Sequence, residues 1–66
     1  MLIDDYLIED EGVYGLTVTS PEGEKSFFLD GDAAEIFRCE LTAWRLKTGE
    51  SVDEFITTHD YDLLFN

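Results

Sequence analysis

Ser20-Pro21-Glu22-Gly23 constrains this chain more tightly than any other stretch. Ser at the first position, Pro at the second and Gly at the fourth fit a type I turn. The runs on either side are ones that such a turn can join. Before it, Tyr14, Leu16 and Val18 alternate with Thr17 and Thr19, the period of a strand with one buried face. After it, Phe27 and Leu29 share a face of the returning run. The spacing predicts a β-hairpin with strands over residues 13–19 and 24–29.

Upstream, Tyr6 and Ile8 alternate with Leu7 and Glu9, and Asp10-Glu11-Gly12 supplies a turn. Leu2, Ile3, Tyr6 and Leu7 also fit helical spacing, but the short length and the Gly-closed turn favour a strand. A three-stranded meander follows. Downstream, Asp32-Ala33-Ala34-Glu35 resembles a capping box with Asp32 as the cap. Ala33, Phe37, Leu41 and Trp44 form the stripe of the next helix, widened by Ala34, Ile36 and Ala43. Lys47 suits the C-terminal end of its dipole, and Gly49 is a natural C′ residue. Ser51-Val52-Asp53-Glu54 is a second capping box, opening a short helix through about Thr58. Residues 61–65 read as a final edge strand, with a helical tail as the alternative.

The expected fold class is α+β, a single small two-layer domain over residues 1–66. An antiparallel sheet of three strands, four if the last one pairs, packs against one main helix and one short helix. Tyr14, Leu16, Val18, Phe27, Leu29, Phe37, Leu41, Trp44 and Phe55 would fill the space between.

Composition then narrows function. Charged residues make up 30% of the chain, close to the usual ~25%. The imbalance is what stands out: sixteen acidic residues against four basic ones, a net charge of −12. Direct nucleic-acid binding is excluded, because it needs cations that displace the counterions of phosphate. Docking on an anionic membrane is excluded for the same reason. Disorder does not follow from the charge, since 44% of residues are hydrophobic and 14% aromatic. No basic, apolar leader and no membrane-length apolar run are present, and Cys39, the only cysteine, cannot pair within the chain. The expectation is a cytoplasmic monomer that starts at its own Met1.

The inventory offers little chemistry. Cys39 and His59 are the only thiol and imidazole, and a dyad between them is outweighed by bland roles. Cys39 reads as a partly buried, inert helix residue, and His59 either as a cap on the carbonyls of a short helix or as a side chain in solvent. Paired catalytic carboxylates need burial to split their pKa values, whereas these acids sit at turns and helix starts. The stretch from Asp30 to Glu35 superficially looks like a calcium loop, but Ala34 and Glu35 stand where an oxygen ligand and Gly are required. Zinc lacks ligands. No catalytic residue, cofactor or metal is expected.

The acids themselves remain. Residues 1–24 and 48–66 contain no Lys or Arg, while Arg38, Arg45 and Lys47 fall in the segment between. On a strand, alternate residues lie ~7 Å apart at ~3.4 Å rise each, and helical neighbours at i+3 or i+4 lie ~5–6 Å apart. A duplex strand carries one phosphate per ~3.4 Å of rise. A rigid domain can therefore imitate part of a phosphate row and be steered to a basic groove. Glu9, Asp10 and Glu11 on one turn and Glu22 and Glu24 on the next are candidates, although these turns lie at opposite ends of a meander. Asp5 on the first strand and Glu50, Asp53 and Glu54 near the second helix would extend the surface.

In length, net charge and α+β pattern, the whole chain resembles the small acidic phage-encoded anti-CRISPR proteins. These include DNA mimics that block type I Cascade complexes, those of type I-C among them. The resemblance implies a monomeric, non-enzymatic blocker of DNA binding by a ribonucleoprotein effector, and it transfers no site residue. Two other readings use the same acids. An immunity or antitoxin-type protein would cover a basic nuclease or toxin with aromatic anchors inside an acidic rim. A salt-adapted domain would carry its acids for solubility alone.

Overall fold

The 20–23 turn closes as its residues demand. In the computed structural model, which describes residues 1–65, the Gly23 N–H donates to the Ser20 carbonyl at 2.9 Å. Asn66, the last position of the expected 1–66 domain, lies outside the described residues. The Lys25 N–H donates to Ser20 Oγ at 3.3 Å, and the Ser20 N–H to the Lys25 carbonyl at 2.8 Å. These bonds set the register of β3 (Leu16–Thr19) against β4 (Ser26–Leu29), in which Val18 faces Phe27 and Leu16 faces Leu29.

Two more strands precede the hairpin, β1 (Leu2–Ile3) and β2 (Tyr6–Asp10). The sheet is antiparallel throughout, in the order β1-β2-β3-β4. Its fourth strand is thus the two-residue β1, and not the C-terminal segment expected to pair last. Residues Tyr61–Leu64 form a short 3-10 helix instead. The cause is aromatic packing: Tyr61 lies on the Phe37 and Phe55 rings at 4.9 and 5.7 Å, and Phe65 sits 4.9 Å from Phe27. The Tyr61 and Phe65 rings both lie within about 6 Å of Phe27. Coiled spacing brings residues four apart that close, where a strand would hold them ~13 Å apart.

Helix α1 (Gly31–Lys47) crosses the sheet and α2 (Val52–Thr58) closes its side. Asp30, not Asp32, occupies the N-cap of α1, and its side chain makes no capping bond. Asp32 lies in the first turn, where its charge still suits the dipole. At the far end Thr48 is the C-cap and Gly49 turns left-handed at φ 68°. Of the second capping box the N-cap half forms: Ser51 Oγ accepts from the Glu54 N–H at 3.3 Å.

The inner face of the sheet contributes Ile3, Tyr6, Ile8, Leu16, Val18 and Phe27 to the core. Phe37, Leu41, Val52, Phe55 and Ile56 meet them from the helices, with Leu29 and Trp44 at the margin. Burying each such large side chain contributes roughly 1.5–3 kcal/mol. Tyr14 is a clear departure from the expected core. It is 78% exposed, because Gly12–Tyr14 forms a 3-10 turn rather than the start of β3. Ala33 and Ile36 also face solvent, so the helical stripe narrows to Ala34, Phe37, Leu41 and Trp44. Cys39 is exposed rather than partly buried. Among the described residues, no helix is long and apolar enough to cross a membrane.

Candidate functional site

Because β1 is a strand, two turns fall at one end of the sheet. Ile3 pairs with Tyr6 across the first, and Thr19, which faces Leu7, pairs with Ser26 across the second. Asp5 therefore lies in a turn, not on a strand. It adopts φ 71°, beside Asp4 at φ 50°, a left-handed pair that Asp tolerates better than most residues. Glu22 and Glu24 belong to the second turn and are exposed at the same end.

Helix α2 is tied to this end by two contacts. Asp4 Oδ2 accepts from the Val52 N–H at 2.9 Å, an orphan donor of the helix start. The Tyr6 hydroxyl donates to Asp53 Oδ1 at 2.8 Å. Asp53 and Glu54 occupy the first turn of α2, and Glu50 stands two residues before Val52. All three are exposed.

The phenol of Tyr6 registers the charge gathered around it. Burial pushes its pKa up to about 12, helped by the hydrogen bond and charge of Asp53 and by the charges of Glu22 and Asp62. Glu22, Asp53 and Asp62 rim a groove of roughly 300 Å³ whose floor includes Tyr6, Ile56 and Phe65. Lys25 is the one cation lining it. Four separate segments thus bring carboxylates to one end: the β1–β2 turn, the β3–β4 turn, α2 and the second 3-10 helix.

Asp4, Asp62 and Tyr6 belong to this cluster but not to the expected site. The Asp4-Asp5 pair just before an alternating run was the available signal, since adjacent Asp residues favour a turn. Asp62 carried no signal of its own.

Glu9, Asp10 and Glu11 lie at the opposite end of the sheet, all exposed. Asp10 is not a free acid. Arg38 holds it bidentately, Nε to Oδ2 at 2.8 Å and Nη2 to Oδ1 at 2.9 Å. The Arg38 hydrogen bond, with a second from the Gly12 N–H, keeps the Asp10 carboxyl below its usual range. Arg38 is in turn held protonated, chiefly by its bond to Asp10.

His59 and Tyr61 have structural partners. The Nδ1 of His59 lies 3.0 Å from the Phe55 carbonyl, which only accepts, so the ring carries its proton there. Of the two expected roles, capping or a place in solvent, this is the first, and the ring packs against Trp44 and Phe55. The Tyr61 hydroxyl donates to Glu40 at 3.1 Å, and burial followed by this bond pushes its pKa up to about 12. Among the described residues, no three His, Cys, Asp or Glu side chains are grouped to hold a metal ion. No protein-family model, curated protein or solved structure matches this chain.

Proposed function

We propose that the chain is a non-enzymatic inhibitor that imitates nucleic-acid charge and blocks DNA binding by a basic nucleic-acid-binding effector. A CRISPR surveillance complex of type I-C is the effector class that the resemblance in size and charge points to. The protein acts as a cytoplasmic monomer on a protein or ribonucleoprotein partner, without cofactor or metal. The observation that supports this reading is the gathering of Asp4, Asp5, Glu22, Asp53 and Asp62 at one end, from segments far apart in sequence.

Folding such a cluster costs self-repulsion, which a purely solubilising surface avoids by spreading its charge. A cationic groove offsets that repulsion on binding, and long-range attraction raises the rate of encounter. Competition tests the reading directly. A labelled target duplex is bound to the type I-C complex and the protein is added in excess. Displacement that weakens steeply with salt is expected. Full DNA binding at saturating protein would overturn mimicry against that effector.

A further inference from the structure

The loop from Asp10 to Gly15 holds two apolar side chains in water on a braced frame. Val13 is 91% exposed and Tyr14 78%, the two most exposed large apolar side chains among the described residues apart from Leu46. Such exposure is ordinary on a floppy loop, but this loop is held on both sides of Val13. Arg38 reaches it from α1, bonding Asp10 twice and the Gly12 carbonyl at 2.8 Å. Asp10 Oδ1 accepts from the Gly12 N–H at 2.9 Å, and the Glu11 N–H donates to the Gly15 carbonyl at 2.8 Å. Gly15 is then pressed against the Leu29 carbonyl and the Phe28 ring so closely that no side chain fits there.

A rigid aromatic anchor flanked by carboxylates has a definite complement. Proteins that hold unpaired nucleic acid combine a basic groove with flat apolar slots on which bases stack. Tyr14 offers a π-face of the kind a base offers, and Glu9 and Glu11, exposed at the same end of the sheet, add the negative charge that a basic rim attracts. Bracing removes much of the ordering cost of binding. A second copy of this chain is a poor occupant, because each copy brings a net charge of −12 to the contact.

We infer that Tyr14 and Val13, on the Arg38-braced loop, dock into a base-stacking slot rimmed by Lys or Arg on the effector. The inference rests on the mimicry reading and adds a nucleotide-like contact at the end of the sheet away from the acidic groove.

The displacement assay on the type I-C complex carries the test, with a paired Val13→Ser and Tyr14→Ala variant and a Tyr14→Phe variant. Both positions are exposed, so circular dichroism should report an unchanged fold. The double variant should need about tenfold more protein or more for half displacement, the scale of losing one stacked base. Tyr14→Phe should stay within about twofold, since stacking needs the ring and not the hydroxyl. A double variant that displaces DNA as well as wild type overturns the contact and leaves mimicry standing. A wild-type protein that displaces nothing overturns both. A wild-type dimer that the double variant dissociates makes a second copy the occupant, and also overturns it.

Discussion

Arg38 and Asp10, 28 residues apart, meet in a two-point ion pair that fastens the middle of α1 to the end of β2. The bond accounts for one of four cations in a chain that has sixteen acids. Its position identifies what that cation does. It braces the loop that follows β2, at the end of the sheet away from the acidic groove, whose one lining cation is Lys25.

Replacing Arg38 by Gln should therefore loosen a loop more than it unfolds a domain. The pair is on the surface, where ion pairs contribute little to global stability. A small drop in melting temperature is expected, together with faster amide exchange at Gly12 and Gly15. Hydrogen exchange followed by NMR checks it. Unchanged exchange in the loop would show that its backbone bonds suffice.

The same pair has a pH signature. Asp10 has a lowered pKa in the folded protein, so it contributes stability at pH values above the unfolded carboxylate value of about 3.9. That contribution is lost as pH falls through the lower folded value. Loop exchange in the wild type should stay slow down to about pH 4 and quicken below it. In Arg38→Gln the acid step should shrink. Persistence of the full step would assign it to another carboxylate.

Tyr6 and Tyr61 titrate in the opposite direction. Both phenols are raised to about 12 in the folded protein, against about 10 unfolded. A raised pKa means stability that is complete below about pH 10 and lost as pH rises through about 12. Denaturation curves at pH 8 and pH 11 should thus differ more for the wild type than for a Tyr6→Phe and Tyr61→Phe double variant. Equal differences would mean that burial does not shift these phenols.

These contacts mark where the sequence was readable and where it was not. Ser51 Oγ accepts from the Glu54 N–H within one turn, so its role is local and the capping pattern reveals it. Ser20 to Gly23 is legible for the same reason. Tyr14 kept strand period with Leu16 and Val18, yet Gly12 and Gly15 at φ 64° and 128° break the strand between them. Pattern cannot register a backbone reversal that a distant Arg38 helps to hold. The acidic end was hidden in a similar way. Asp5 reaches the turn holding Glu22 only because Leu2 and Ile3, two residues, pair with Tyr6 and Leu7. A strand that short has no period to detect. Residues 61–65 fit either an edge strand or a helical tail by pattern, and it is shared contact of Tyr61 and Phe65 with Phe27 that selects the coiled spacing.

Gly15 offers a sharper test of the loop than any charged residue. Its φ of 128° and ψ of −157° lie in a region essentially reserved for Gly. A Cβ there would meet the Leu29 carbonyl and stand 2.6 Å from the Phe28 ring. Gly15→Ala should cost about 2–4 kcal/mol, from backbone strain plus the shift of β4. Gly12→Ala meets nothing within 4 Å and should cost only the left-handed penalty of about 1–2 kcal/mol. Urea denaturation of the two variants separates them. Equal losses would mean that β4 yields without penalty.

Stability and inhibition should part company at the acidic end. Glu22→Gln, Asp53→Asn and Asp62→Asn together remove three charges from the groove rim while leaving Asn an acceptor for the Tyr6 hydroxyl. With less repulsion to overcome, the triple variant should melt at a higher temperature than wild type in low salt. The gap should narrow as salt screens both proteins, since the Debye length falls from about 30 Å at 0.01 M to about 3 Å at 1 M. In the displacement assay the same variant should be the weaker competitor. A matched variant with Asp30→Asn, Asp32→Asn and Glu35→Gln removes as much charge from the start of α1. If charge matters only as a total, both variants lose inhibition equally. If the clustered end is the contact, the groove variant loses far more, and mainly through slower association. A groove variant that is stabilised and still inhibits fully would mark the cluster as repulsion without a partner, and would favour the salt-adapted reading.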